Sequence, residues 1–347
     1  MMRIPRVLIS LVNWNGGTTI ARCIGQLRMQ TFAYAQVIVT DNGSTDGSVE
    51  SIRKAEPGLI VIENSENRGY AGGHNLALRY GLRQGFDYFW LLNFDTILEP
   101  GTLAALIDFA EKERTVGAVS PVIYRAERPE QIQFCGTWTD IETFSFRNAR
   151  DLSELDAHLS TDAGHLLLWG TALLLRCEAV EAAGFLDERY FAYYEDLDLT
   201  DRIHRVGFRN RVSPGARIWH SGVNSIRDRP PYYVYYNIRN HFLYWHERLT
   251  LARWPRHWRL LTTRLLGFIG QLKEGPGPDW IEAALCGYRD ALLGRYGAWD
   301  QRRRAPRWLY ALATAHPYAL QLLLEGRFIA LFSGIITNLR RRIRRPR

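Results

Sequence analysis

The first third of the chain alternates short apolar runs with stretches of helical periodicity, and the first four apolar runs each lead into a polar cluster. Residues 7–12 run into Asn13-Trp14-Asn15, and residues 36–40 into DNGSTDGS, which begins at Asp41. Residues 59–63 lead to NRGYAGGHN at 67–75, and the very apolar run at 88–93 stops at Asn93-Phe94-Asp95. Helical periodicity occupies 18–29, 47–55, 72–83 and 100–113, with a further apolar run at 116–121. This spacing predicts repeated strand–helix–strand units and an α/β fold with a mainly parallel sheet flanked by helices. In such sheets a ligand sits beyond the carboxyl ends of the strands, where the polar clusters fall.

Beyond residue 125 the pattern changes. Residues 125–161 are irregular and polar with short aromatic runs, which predicts an excursion or hairpin beside the site. A strand interrupted by Gly170 is expected at 166–175, and helices at 178–183 and 197–206. From Pro230 the chain reads as almost wholly helical, with helices at 232–249, 255–271, 278–293, 308–315 and 318–344. The expected division is therefore an α/β domain over 1–229 and a helical region over 230–347.

Charge is distributed unevenly. The whole chain is +8, yet residues 298–347 hold eleven Arg against one Asp and one Glu, a net +9, which leaves residues 1–297 at −1. A near-neutral main domain argues against a nucleic-acid partner. The basic end favours an anionic membrane surface, against the alternative of a solvated terminus. The longest candidate span, 317–339, contains Gln321, Glu325 and Arg327; its uncharged part, 328–339, is short of the ~20 residues a spanning helix needs. An interfacial helix and a peripheral position on the cytoplasmic face of the inner membrane are expected. No secretory leader is expected, because the first apolar run is short and leads straight into the asparagine motif. Cys23, Cys135, Cys177 and Cys286 are scattered without a CxxC pair, so neither zinc nor a disulfide framework is expected and a reducing compartment fits.

Each polar cluster has a functional and an ordinary reading. Asp41 can accept hydrogen bonds from a nucleobase or ribose, with Asn13 and Asn15 beside it, but DNGSTDG is also turn and cap chemistry. The glycines of NRGYAGGHN, at 69, 72 and 73, permit close approach at a helix N-terminus, where a diphosphate binds readily and Arg68 adds a cation. They do not form GxGxxG, which argues against a dinucleotide dehydrogenase. Asp95 ends an apolar run and needs a partner; a carboxylate with diphosphate oxygens suits magnesium or manganese, and His220 is a candidate second ligand. Glu195, Asp196 and Asp198 open a helix, where acids are ordinary, but three together exceed that need and suit a general base.

Taken jointly, VNWNG, DNGSTDGS, NRGYAGGHN, LLNFDT, GTALLLR, GFLDERYFAYYEDLDLTDRIHRVGF and WHSGVNS resemble glycosyltransferase family two, with the A-type (GT-A) nucleotide-sugar fold, and most of all its rhamnosyltransferase-like branch. YYVYYNIRNHFLY and YRDALLGRYG extend the resemblance through Gly297. It implies an inverting transfer from a nucleoside-diphosphate sugar with a divalent cation, Mg2+ or Mn2+. In its terms Asp95 holds the metal with help from His220, Asp41 meets the nucleobase, and Asp196 is the catalytic base, with Glu195 and Asp198 beside it. The donor site then comprises Asn13, Trp14, Asn15, Asp41, Asn67, Arg68, Gly72, Asn75 and Asn93, and the acceptor side Trp169, Gly170 and Tyr194. One departure stands out: the family's paired aspartates appear here as Asn93-Phe94-Asp95, with one carboxylate fewer.

The resemblance leads to dTDP-L-rhamnose as expected donor and a lipid-linked saccharide of a cell-surface polysaccharide as expected acceptor. Galactofuranose or another deoxysugar is the nearest alternative. A sugar nucleotidyltransferase would need a glycine- and arginine-rich loop after the first strand, where NWNGG stands. A non-catalytic membrane-associated binding protein would not need the acid cluster. For the tail, deleting residues 318–347 is expected to release the protein from anionic vesicles while leaving donor hydrolysis intact, as read by co-sedimentation and nucleotide release.

Overall fold

The structure is a computed structural model that describes residues 3–161, 165–221, 228–273, 277–315 and 320. The basic tail from residue 321 and the expected helix at 318–344 therefore lie outside the described residues, Leu320 excepted. Backbone contacts divide the chain into two units, residues 1–222 and 223–347.

In the first unit, strands β1 (Val7–Asn13), β2 (Ala35–Asp41), β3 (Ile60–Glu63) and β4 (Tyr88–Leu92) pair in parallel in the order β3-β2-β1-β4. β1 and β4 are apolar along nearly their whole length because both faces are covered, the usual state of central parallel strands. Helices α1 (Gly17–Arg28), α2 (Ser48–Ala55) and α3 (Gly69–Arg83) make the crossovers. α2 begins at Ser48, whose amide and hydroxyl both donate to Asp46, so Asp46 rather than Ser48 supplies the oxygen at this helix entrance.

The sheet continues through β10 (Ala172–Arg176), β6 (Val116–Arg125), β11 (Arg209–His220) and β5 (Thr96–Leu98), with β7 (Arg128–Phe134) added on β6. β10 runs antiparallel to both β4 and β6, and β5 and β7 are also antiparallel to their partners. The parallel block expected from the repeats is thus extended by reversed strands, and the reversal brings Trp169–Thr171, just before β10, to the edge where β4 ends. β11 is longer than its apolar part because the register shifts between Ser213 and Arg217, around Pro214 and Gly215; a proline that would end a regular strand is tolerated at such an irregularity. Residues 125–161 form β7, a hairpin of β8 (Thr137–Asp140) and β9 (Ser145–Asn148), and α5 (Leu152–Thr161). Helices α4 (Thr102–Glu111), α6 (Cys177–Ala183) and α7 (Glu195–Arg205) complete the unit. All four cysteines are buried and free.

The second unit is helical, as its composition implies. α8 (Pro231–His246), α9 (Trp254–Lys273), α10 (Pro278–Leu292) and α11 (Arg307–Ala315) surround a core that includes Tyr235, Tyr244, Trp245, Leu285 and Tyr288. α8 and α10 cross closely at Gly287, where a Cβ would stand 2.5 Å from the Tyr235 carbonyl oxygen. The Tyr235 hydroxyl donates to Asp290 at 2.9 Å, and Arg239, fully buried, donates to the Gly297 carbonyl at 2.5 Å. Among the described residues no helix is long and apolar enough to cross a membrane.

α3 lies tightly on β1 because Gly73 faces Val12. A Cβ there would be 2.8 Å from both Val12 methyl carbons, and a β-branched side chain has little freedom to retreat. Helix propensity alone favours Ala over Gly by about 1 kcal/mol. Gly73→Ala is nonetheless expected to lose about 1–3 kcal/mol of stability by overpacking, measured by denaturant unfolding. A stabilised variant would mean that the helix relaxes away from β1 without cost.

Candidate active site

β1 and β2 end level, Asn13 opposite Asp41, and their loops are tied together by side chains. Asn13 is fully buried, and its amide nitrogen donates to Asp41 Oδ1 at 2.7 Å, Ser48 Oγ at 2.8 Å and Ser44 Oγ at 3.1 Å. Its oxygen accepts the Gly16 amide. Asp41 accepts four bonds in all: from Asn13 and the Ser44 hydroxyl on Oδ1, and from the Gly43 and Ser44 amides on Oδ2. Asn15, at φ +52°, accepts the Thr45 amide. The two expected donor residues Asn13 and Asp41 therefore build the floor of the edge, and a nucleobase reaching Asp41 has to exchange with the Ser44 hydroxyl. Trp14 is 46% exposed directly above this floor in sequence.

The next loop is held by a residue the motif reading passed over. Asn42, buried, donates to the Gly69 carbonyl at 2.9 Å and to Asn67, and accepts from Asn64. Asn67 also accepts the Gly69 amide. α3 starts at Gly69, three residues earlier than its periodicity implied, since Gly69 has φ +71° and a Cβ would collide with the Phe191 carbonyl. At this helix N-terminus, the expected diphosphate seat, groups of the protein itself already stand close. The Ala71 amide already donates to Phe191, and Glu188 brings a carboxylate beside Gly72 and Arg68. Arg68 pairs with Glu188 at 3.2 Å, and Glu188 is shared with Arg79 at 3.5 Å, so the two arginines keep a net positive charge there. Asn75 is buried and its amide is spent on Leu186 and Glu188. Arg68 and Asn75 thus hold the loop carrying Glu188, and Gly72 leaves room for that carboxylate.

Beyond β4, Asn93 donates its backbone amide to Thr171, and Phe94 packs near Gly16. Asp95, 40% exposed, lies 3.3 Å from His220 Nε2 at the end of β11. The antiparallel pairing of β11 with β5 sets His220 opposite Thr96, which is how residues 125 apart in sequence meet. His220 Nδ1 is 3.0 Å from Gln133 Oε1, on β7. With that oxygen accepting the Nδ1 proton, Nε2 presents its lone pair toward a carboxylate oxygen. Two acceptors at this distance call for a proton or a cation between them, and a histidine whose other nitrogen is held by an acceptor is the arrangement found at metal sites. Among the described residues no cluster of three or more His, Cys, Asp or Glu side chains is poised for a metal. Asp95 and His220 therefore fit a cation that takes its remaining oxygens from a bound ligand, as a diphosphate-bound Mg2+ or Mn2+ does. Gln133 carried no recognisable signal, lying in an irregular polar stretch.

The acid cluster splits on inspection. Asp198 is buried against Arg202, at 2.8 Å, and Arg202 donates to the carbonyls of Ala183, Gly184 and Phe185. It is a structural ion pair and leaves the expected catalytic group. Asp196 accepts the Gly170 amide at 2.6 Å on Oδ2 and the Leu197 amide at 2.8 Å on Oδ1. Burial raises its pKa, opposed by those amides. Glu195, 4% exposed, has no partner at Oε2 among the described residues; burial and then the Asp196 charge hold its pKa well above the ordinary carboxylate value. Gly170 has no room for a side chain, since a Cβ would stand 2.6 Å from Tyr70 Oη and 3.3 Å from Asp196 Cβ. Trp169 is half-buried and stacked on Phe134, and the Tyr194 ring meets Phe146 edge-on. Phe191, Tyr193 and Tyr194 all have positive φ, so the backbone entering α7 is strained where the two carboxyls emerge.

Residues 9–168 match the family described as Glycosyl transferase family 2. The chain is a glycosyltransferase whose residues 9–168 match family 2. Over 268 residues the transferase is 27% identical to the N-acetylglucosaminyl-diphospho-decaprenol L-rhamnosyltransferase of Mycobacterium tuberculosis (strain ATCC 25618 / H37Rv), covering 72% of this chain and 87% of that protein. It is 28% identical over 196 residues to the galactofuranosyltransferase GlfT1 of the same organism, covering 54% and 61%. In fold it is similar to a mannosyltransferase from Pyrobaculum calidifontis solved with GDP-Man and Mn2+, with TM-score 0.53, 18% identity and coverage of 97% and 83%. It is also similar to GalNAc-T7 solved with UDP, GalNAc and Mn2+, with TM-score 0.52, 15% identity and coverage of 64% and 45%. The GT-A architecture of the transferase, with its sheet of parallel core strands and its helical C-terminal region, agrees with these neighbours.

Two outcomes follow from this geometry. A carboxyl held above its ordinary pKa makes the folded state bind more protons, so its effect on stability turns unfavourable as pH rises above about 4.5. Glu195→Gln is expected to melt higher than the parent at neutral pH, with the gap closing toward pH 4; equal melting at both ends would refute the buried-acid assignment. Gln133→Leu is expected to weaken Mn2+ binding to the nucleotide-loaded transferase about 10–100-fold, read by calorimetry, because His220 loses its orienting acceptor.

Proposed function

We propose that this transferase moves L-rhamnose from dTDP-L-rhamnose, with inversion, to a hydroxyl of a lipid-linked saccharide in the synthesis of a cell-surface polysaccharide. The observation that carries the reading is Asp196, a half-buried carboxylate anchored by two backbone amides at the edge of the sheet. The rhamnosyl donor and lipid-linked acceptor are supported by the similarity to a rhamnosyltransferase whose name specifies a diphospho-decaprenol acceptor.

Asp41, Asn13 and Ser44 form the polar floor on which the base and ribose rest, and Trp14 offers an exposed ring beside it. Asp95 and His220 hold the divalent cation, Asn93 lying beside them in sequence. Bound there, the cation supplies positive charge against the diphosphate as it departs. Asp196 takes the proton of the acceptor hydroxyl as that oxygen attacks the anomeric carbon from the side opposite the diphosphate; such a base contributes a rate factor of ~10²–10⁴. Glu195, kept neutral by burial, spares Asp196 a second negative neighbour. Trp169, Gly170 and Tyr194 line the approach of the acceptor, and the half-buried Trp169 ring suits a sugar face. Residues 1–229 carry these groups, while residues 230–347 and their basic tail keep the transferase peripheral on the cytoplasmic membrane face, near its acceptor.

Galactofuranosyl transfer is the second reading, favoured by the match to the galactofuranosyltransferase. A calorimetric comparison of dTDP-L-rhamnose with UDP-galactofuranose, with and without Mn2+, separates the two, and the anomeric configuration of the product tests inversion. Metal-dependent preference for dTDP-L-rhamnose is the expected result. Preference for the galactofuranosyl donor would replace the substrate, and chelator-insensitive turnover would remove the metal from the mechanism. Asp196→Asn is expected to bind donor normally and lose turnover by orders of magnitude.

A further inference from the structure

We propose that Tyr70 is a positioning residue for the reaction: its hydroxyl pins the Gly170 carbonyl, and Gly170 in turn aims its amide at the Asp196 carboxylate. The inference rests on Asp196 being the base. Tyr70 Oη donates to the Gly170 carbonyl at 2.6 Å, and the Gly170 amide donates to Asp196 Oδ2 at 2.6 Å. Both groups hang on one glycine Cα, whose two dihedrals are the softest in the chain. Fixing the carbonyl removes the freedom by which the amide could turn away. Nothing larger than glycine fits, so Tyr70 and Asp196 meet across this one residue. The next residue is also tied down, since the Thr171 carbonyl accepts the Asn93 amide.

Tyr70 is itself held from the centre of the sheet. Its ring lies 4.2 Å, centroid to centroid, from that of His74, and His74 Nδ1 is 2.7 Å from Ser10 Oγ on β1. His74 is fully buried and burial pushes its pKa down to about 3, so it stays neutral and places no cation behind Tyr70. The route from β1 to the base is therefore a chain of contacts: Ser10, His74, Tyr70, Gly170, Asp196. The charged and titratable groups around Asp196 are Glu195 and Asp198 on α7 and Tyr70 on α3, with Asp198 balanced by Arg202. The Gly170 amide is a favourable partner of the ionised carboxylate, and weakening it leaves burial less opposed.

Tyr70→Phe keeps the ring contact with His74 and removes only the hydroxyl. Turnover is expected to fall roughly tenfold with donor KM little changed, the loss of one hydrogen bond at a positioned group. The acid limb of the kcat/KM profile is expected to move to higher pH, and the Gly170 amide to exchange hydrogen for deuterium faster. Gly170→Ala, whose methyl would press on Tyr70 Oη, is expected to move the acid limb in the same direction. In an Asp196→Asn background Tyr70→Phe should cost no further turnover. An acid limb and a Gly170 exchange rate both unchanged in Tyr70→Phe would overturn the inference, whatever the fate of turnover. Near-normal turnover in Asp196→Asn alone would instead overturn the base assignment, and the exchange measurement would still decide whether Tyr70 holds Gly170. Should Tyr70→Phe melt far below the parent, a Gly170→Ala profile without a shifted limb overturns the inference in its place.

Discussion

The amide of Asn13 is the interaction on which the donor edge depends. It is fully buried and makes bonds to Asp41, Ser44 and Ser48, so the ends of two strands and the start of α2 are drawn to one point. A buried amide left unsatisfied costs about 1–3 kcal/mol, which makes the group as demanding as it is stabilising. Asp41 answers it and is itself closed by the Gly43 and Ser44 amides. The result is a rigid polar floor whose members are adjacent through parallel register. Sites built this way keep their geometry because moving one partner exposes the others to desolvation without compensation.

Two pairs of charged or chargeable groups at the same edge are given different surroundings, and this divides their tasks. Asp95 and His220 are partly exposed and oriented from behind by Gln133, which suits repeated binding and release of a cation with its ligand. Glu195 is buried and Asp196 half-buried beside it, so both cannot ionise cheaply. The amides of Gly170 and Leu197 go to Asp196, while Glu195 Oε2 has no partner among the described residues. Hydrogen bonding therefore favours the charge on Asp196, while burial holds the pKa of Glu195 well above the ordinary carboxylate value. Environment, and not residue type, distinguishes the two acids.

Much of this was legible in the sequence because it is local. Strands β1 to β4 and their crossover helices follow from periodicity, and Asn13, Asp41, Asp95 and Asp196 each stand at the end of an element that the pattern locates. What was not legible depends on the return of the chain. β10 reverses direction without any change in its apolar pattern, and β11 passes through Pro214 and Gly215 by a register shift that a linear reading takes for a loop. Gln133 meets His220 only because β7 folds back on β6. Asp198, by contrast, is paired locally with Arg202 four residues along the same helix, and only the anchoring of Arg202 on the carbonyls of residues 183–185 depends on the return of the chain. What stands near Gly72 at the helix N-terminus was not legible, because Glu188 and the Phe191 carbonyl arrive from residues more than a hundred positions away.

That arrival also accounts for the strained backbone before α7. Positive φ at a non-glycine residue costs of order 1–3 kcal/mol, and Phe191, Tyr193 and Tyr194 adopt it within four residues. Such a run persists only if its surroundings determine it more strongly than its own preferences. Here they do. Asn75 fixes Leu186 and Glu188, Tyr190 is fully buried, and the Phe191 carbonyl is taken by the Ala71 amide at a place where Gly69 alone leaves room. Helix α3 is therefore a clamp. It holds the strained turn from which α7 starts, and with it the direction in which Glu195 and Asp196 leave the backbone. Tyr70, one residue along the same helix, reaches across to Gly170 and meets Asp196 from the other side. A single helix thus sets both the turn from which Asp196 leaves the backbone and the orientation of the amide that Asp196 accepts.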